Sequence, residues 1–271
     1  MPGIRSVGHL AKRIRQTPAL FSNFPTVFWD LGTQKTPLAR REMNLRLRNG
    51  YTMTIPNADG ARYAIYEIFS DDAYGIAELT RDLDPEAAVL DVGAQVGCFA
   101  LAIAEALPRA AVEVYEASPT SASYAERNVR DNGLADRVSV HSAALAGEDG
   151  EFSMIDNGDA SVHNGLIAGE GTEVTVPAVS FDHAVAQARS GGRSVQLVKM
   201  DVEGAEYDVI LRSSPGSWAE VKAVALEYHP VPGHSLDELL GFLEPLGFAP
   251  YRQEDGTEPG LGMIWLRRNA G

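Results

Sequence analysis

Apolar residues first recur with a helical spacing between Gly3 and about Leu20, where Ile4, Val7, Leu10 and Ile14 form one stripe with Lys12, Arg13 and Arg15 around it. That pattern predicts an amphipathic helix packed on its own domain or on a second subunit. The following PALFSNFPTVFWDLGTQKTP is rich in aromatics and proline and shows no period, so it reads as a lid over a substrate cavity or as an irregular packed arm. From Asn44 to Pro56 apolar and polar residues alternate on both sides of Asn49-Gly50, which predicts a β-hairpin. The segment YAIYEIFSDDAYGIAELTRDL then reads as helical with a break near Asp71 and Asp72.

From residue 87 short apolar runs alternate with helical segments: AAVLDV, FALAIAEAL, VEVYEA, SASYAERNVRDNG, then VSVHSAAL. Strands and helices in this rhythm imply parallel pairing through right-handed crossovers. Between Glu151 and Val179 the runs EFSMI and EVTVPAV flank a Gly-rich connection and read as an inserted antiparallel pair. VQLVKMDV, a helix through EYDVILRS, the strand AVALEYH, the helix SLDELLGFLEPLG and a final strand GMIWLRR follow. The expected organisation is a doubly wound α/β domain over residues 86–271, preceded over residues 1–85 by a helical arm and small hairpin that serve as a lid or a dimer contact.

Length and composition narrow the function. At 271 residues, 45% of them hydrophobic, the chain suffices for one large core and is short for two. The lone Cys98 excludes an internal disulfide and a cysteine-based metal site, and suits a reducing cytoplasm. A net charge of -14 argues against a nucleic-acid or anionic-membrane partner, since both need a broad basic face. The N-terminus lacks the apolar core of a secretory signal. The most apolar stretch, AAVLDVGAQVGCFALAIAEAL, is interrupted by Asp91, Gln95 and Glu105, which excludes it as a membrane span.

In open α/β sheets ligands sit beyond the carboxyl ends of the strands, which draws attention to Val89–Gly97. Gly93 allows a sharp turn beside a ligand, and Gly97 allows close helix–sheet contact. A dinucleotide loop needs glycine where this chain has Gln95, which counts against NAD. S-adenosylmethionine has no phosphate; it needs a carboxylate for its ammonium group, here Asp91, and close backbone, here Gly93 and Gly97. Glu116, about 20 residues beyond the loop, is placed to accept the ribose hydroxyls of either cofactor.

DVGAQVGCFAL, YEASP, ERNVRDNGL, SAALAGEDGEF and above all VKMDVEGAEYDVI resemble the FkbM family of S-adenosylmethionine-dependent methyltransferases. The likeness covers roughly residues 62 to 245, with Gln95 where the family commonly has Asn and Ala117 where it has Pro. The resemblance implies a class I, Rossmann-like fold with a seven-stranded sheet whose last strand runs antiparallel. It also implies S-adenosylmethionine held by Tyr74, Asp91, Gly93, Ala94, Gln95, Gly97, Glu116, Ala117, Ser118, Ala143 and Asp201. The implied reaction is O-methylation, either of a hydroxyl on a polyketide macrolactone, as a tailoring step in antibiotic biosynthesis, or of a sugar. The N-terminal arm and the Gly-rich insertion depart most from the shared pattern and are expected to shape that choice.

An aliphatic hydroxyl must lose its proton, or bind a metal, to become a competent nucleophile. The fourth strand of the alternating part ends in Lys199 and Asp201, followed by Glu203 and Glu206; the fifth ends in Glu227, Tyr228 and His229. His229 titrates near neutrality and is the first choice of general base, with Asp201 and Lys199 beside it. Asp201, Glu227 and His229 alternatively supply ligands for Mg²⁺ or a similar divalent ion. Glu203 and Glu206 have a structural reading, as acids at a helix start, and His9, His141, His163, His183 and His234 read as structural. Two rivals stay open: an NAD-dependent oxidoreductase, and a binding module that retains the fold without catalysis.

Overall fold

A computed structural model describes residues 4–58, 60–156 and 172–269; the Gly-rich connection of the insertion, with His163, lies outside them. The alternating segments form a seven-stranded sheet in the order β11 (Phe248–Asp255), β12 (Gly262–Arg268), β10 (Ala223–Tyr228), β9 (Val195–Met200), β3 (Ala88–Val92), β4 (Ala111–Glu116), β5 (Val138–Ser142). The strands from β10 to β5 are parallel, and the last strand, β12, runs antiparallel to both of its neighbours. This is the class I methyltransferase layout. The chain leaves β3 towards β4 and β5 and then returns to β9 and β10, so a crevice opens above the carboxyl ends of β3 and β9.

The central strands β3 and β9 are buried at every position and mostly apolar because both faces of the sheet are covered. On one face lie α3 (Tyr63–Phe69), α4 (Ile76–Thr80), α5 (Cys98–Ala106) and α6 (Pro119–Asp131); on the other lie α7 (Phe181–Arg189), α8 (Glu206–Arg212) and α9 (Leu236–Leu243). Strand β11 was not expected. Only Phe248 in it is buried, and its far end is a polar edge, a composition that guards a sheet edge but hides the strand from pattern reading. The insertion is larger than a pair: β6 (Ala144–Ala146) runs parallel to β8 (Thr172–Ser180), which also pairs antiparallel with β7 (Gly150–Asp156).

Among the N-terminal elements, the hairpin forms as expected from β1 (Glu42–Arg46) and β2 (Thr52–Pro56). Two asparagines one turn apart, Asn128 in α6 and Asn132 at its C-cap, treat the free edge of β2 as a ladder. Asn132 accepts from the N–H of Thr52 at 2.8 Å and donates to its carbonyl at 2.7 Å; Asn128 does the same for Thr54 at 2.7 and 3.2 Å. The aperiodic stretch contains a helix, α2 (Phe24–Thr33), with Pro25 in its first turn, where proline costs nothing. The first helix, α1 (Ile4–Leu20), forms as predicted. Ile14 is 51% exposed, whereas Arg13 and Gln16 bond to Asp71, and Thr17 bonds to Tyr66. The polar groups of Asp71 and Tyr66 at the α3–α4 corner therefore hold the second half of the helix through Arg13, Gln16 and Thr17, and Ile14 is left in solvent. Apolar residues from Leu20 to Leu83 join Val89 and α5 in one continuous core. Among the described residues no helix is long and apolar enough to cross a membrane.

Candidate active site

The crevice above β3 and β9 is a cavity of about 530 Å³, within the range of small-molecule sites. One wall is the turn between β3 and α5. Gly93 has φ 77°, and a Cβ on it would stand 1.7 Å from the carbonyl oxygen of Asp201, so only glycine lets the two strand ends touch. Gln95 is also left-handed, φ 52°, and its backbone N–H donates to Glu116 Oε2 at 2.7 Å. Ser118 N–H donates to the other oxygen at 2.9 Å. Burial pushes the Glu116 carboxyl up to about 7 against the pull of these two amides. A carboxylate in that position gains from any further hydroxyl donor that enters the cavity.

Asp91 stands behind this wall rather than in it, which corrects the expectation of a direct grip on a ligand ammonium. It is fully enclosed and lies in register with Lys199, whose Nζ is 3.5 Å from its Oδ1. Lys199 donates to the carbonyl of Gly93 at 2.5 Å and lies 3.8 Å from Asp201. Burial pulls this ammonium down, but the carboxylates of Asp91, Asp201, Glu227 and Glu116 outweigh it and hold the group above its ordinary value. Lys199 is thus a fixed cation that fastens the glycine turn to β9, and Asp91 neutralises it.

The opposite wall comes from the ends of β9 and β10. Tyr74 donates to Asp201 Oδ2 at 3.4 Å; it is held there by Trp265, which donates to its carbonyl at 2.9 Å, and by an edge contact with Phe99. One ligand atom from each of Asp201, Glu227 and His229 lies within 4.8 Å of the others. The His229 ring is flanked on both sides, with Nδ1 3.2 Å from Glu206 Oε1 and Nε2 3.4 Å from Glu203 Oε2. Burial lowers the imidazole's proton affinity, but Glu206, Glu203 and Asp201 reverse this and raise it to about 9. Burial likewise pushes Glu203 to about 7 and, with repulsion from Asp201, Glu227 to about 8. These are groups that exchange protons within reach of neutral pH.

Of the expected cofactor residues, Tyr74, Gly93, Ala94, Gln95, Glu116, Ala117, Ala143 and Asp201 line the cavity, as do Lys199, Glu227 and His229. Gly97 and Ser118 stand behind it with Asp91; Gly97 instead faces α6, where a Cβ on it would stand 3.4 Å from that of Ala125, and Ser118 caps α6. His141, His183 and His234 each face a carboxylate outside the cavity. The stretch from Pro18 to Pro37, offered as a lid, contributes nothing to the wall; Tyr63, Ala64, Glu67 and Ile68 of α3 do. Phe152 and Met154 of β7 also line it, and their period-2 spacing in EFSMI was the available signal. Glu67 was signalled by being a lone acid among the apolar residues of IYEIF.

The sequence profile of the methyltransferase FkbM domain matches residues 91–250, more than half of the chain. The chain is 27% identical over 265 residues to the 31-O-demethyl-FK506 methyltransferase FkbM of Streptomyces tacrolimicus, covering 84% of this chain and 97% of that one. It is 25% identical over 221 residues to Methyltransferase 1 of Beauveria bassiana, covering 74% and 86%. Among solved structures, the methyltransferase FkbM of Methylobacillus flagellatus KT superposes with a TM-score of 0.46 at 12% identity, over 75% of this chain and 52% of that one. This chain is a methyltransferase and belongs to the FkbM family.

Proposed function

We propose that the protein transfers a methyl group from S-adenosylmethionine to a hydroxyl oxygen of a small natural product of the polyketide or macrolactone class, in the cytoplasm. One observation carries this reading. A single cavity joins a nearly buried carboxylate behind a glycine turn, Glu116, to an imidazole set among carboxylates, His229. The first suits a ribose, and the second suits a hydroxyl proton. Membership of a methyltransferase family sets the oxidoreductase alternative aside. The substrate class is supported by the Streptomyces relative, whose name makes it a 31-O-demethyl-FK506 methyltransferase. A sugar hydroxyl is the second candidate acceptor.

The residues present fit the cofactor. Glu116 offers oxygens to the ribose, the backbone from Gly93 to Gln95 offers close approach, and Ala117, Phe152 and Met154 offer an apolar wall for the base. When bound, S-adenosylmethionine supplies an electrophilic methyl carbon. The chain's own work is to orient the hydroxyl and remove its proton, which we assign to Asp201, held by Tyr74, and to His229, whose ring lies between Glu206 and Glu203. A second reading has Asp201, Glu227 and His229 binding a divalent cation that acidifies the hydroxyl, favoured by the convergence of their ligand atoms.

Incubation with isotopically labelled cofactor and a panel of hydroxylated macrolactones and sugars, read by product mass, tests the proposal. Methyl transfer to a macrolactone hydroxyl is expected. Cofactor that binds and is never consumed points to the binding module instead. Turnover abolished by a chelator and restored by Mg²⁺ selects the metal reading.

A further inference from the structure

Glu206 is a carboxylate with no exposed surface, and nothing in its position at the start of α8 requires it to reach another strand. It does so nonetheless. Oε2 accepts the N–H of Gly204 at 2.9 Å, while Oε1 accepts the N–H of His229 at 2.6 Å and faces the same residue's Nδ1 at 3.2 Å. The next residue, Tyr207, donates its hydroxyl to the carbonyl of His229 at 3.2 Å. Two consecutive side chains of α8 therefore hold the amide, the carbonyl and the ring of a histidine more than twenty positions away. Glu203 and Gly204, both left-handed at φ 51° and 105°, fold the chain back so that Glu203 flanks the far nitrogen. Burying a carboxylate among apolar residues is unfavourable unless each oxygen has a donor. Here the donors all belong to the acceptor end of the cavity.

We propose that Glu206 is a positioning residue for methyl transfer: bonded to the backbone amide of His229 and facing its Nδ1, it fixes the ring at this end of the cavity with Nε2 on the side of Glu203 and the acceptor hydroxyl. The inference rests on the reading of His229 as general base. In the step the acceptor O–H bond breaks as Nε2–H forms. The oxygen's electron pair makes the bond to the methyl carbon, and the sulfur departs with the pair of the broken S–C bond. Positive charge then appears on a ring flanked by Glu206 from α8 and Glu203 from the preceding turn, with Asp201 at the end of β9 and Glu227 on β10 beside them. The arrangement follows the carboxylate–imidazole logic of hydrolase triads, with an acceptor hydroxyl in place of the nucleophilic serine.

The test combines a spectrum and a variant. ¹⁵N spectra of the wild-type protein at alkaline pH are expected to show neutral His229 protonated on Nδ1. Protonation on Nε2 overturns the proposal, whatever the variant does. Glu206→Gln preserves volume and removes the charge; kcat is expected to fall about 10²-fold or more with KM for the cofactor within about twofold. A folded Glu206→Gln variant with unchanged kcat overturns it as well. His229→Ala separates the two claims: full turnover there removes the general base itself, whereas lost turnover there beside an unaffected Glu206→Gln removes only the positioning role.

Discussion

The two ends of the cavity are built from different materials. At the glycine turn the backbone does the work: one carboxylate, Glu116, receives two amides, and shape is set by Gly93 pressed on the Asp201 carbonyl. At the ends of β9 and β10 side chains do it. There Asp201, Glu203, Glu206 and Glu227 crowd around Lys199 and His229. The first end is therefore sensitive to added atoms, and the second to removed or added charge.

That contrast can be broken in stated ways. Gly93→Ala is expected to cost at least about 4 kcal/mol in urea unfolding, because the new methyl has nowhere to go against backbone; wild-type stability would refute the contact between strand ends. Asp91→Ala is expected to cost about 3 kcal/mol or more, since it strands a buried ammonium. A folded Asp91→Ala protein of normal stability that simply loses cofactor would restore the direct role the structure denies to Asp91. His229→Ala is expected to cut turnover by about 10²-fold or more while leaving cofactor affinity by calorimetry unchanged. Glu116→Gln is expected to weaken cofactor binding by about tenfold or more, the scale of a lost charge-assisted hydrogen bond, and unchanged affinity would empty that end of its assigned role.

The smallest effect is on pH. Glu116, Glu203 and Glu227 rise from an ordinary 4.5 to about 7, 7 and 8, and His229 rises from 6.5 to about 9. The acids then destabilise the fold as they are forced to ionise above 4.5. The histidine's contribution, complete below 6.5, is lost as pH rises through 9. Both signs agree, because the folded chain binds more protons than the unfolded one between pH 5 and 9. The Tm of the unliganded protein should fall across that interval. A flat or rising Tm would show that the crowding of charge at the acceptor end is relieved in solution.

The turn end was legible in the sequence because its parts are local: strand, glycines and Glu116 lie within one βα unit and the next strand. The strand alternation gave the parallel sheet for the same reason. The acceptor end was legible only as candidates, since the meeting of Glu206 with His229 depends on two strand ends being adjacent. Where reading failed, a non-local term had outweighed the pattern. Asp71 drew Arg13 and Gln16 inward and left Ile14 outside, β11 hid its role behind an edge strand's polarity, and Asp91 was captured by a lysine on the neighbouring strand.

Asn128 has a further bond beyond the edge of β2: its amide nitrogen also donates to the carbonyl of Val96 at 2.9 Å, inside the turn that follows Gly93. One buried side chain is thus a rivet joining the first hairpin, the sixth helix and the glycine turn. Peeling away the first fifty-odd residues would remove two of that side chain's three bonds and leave the turn beside the cavity with one support fewer from the hairpin.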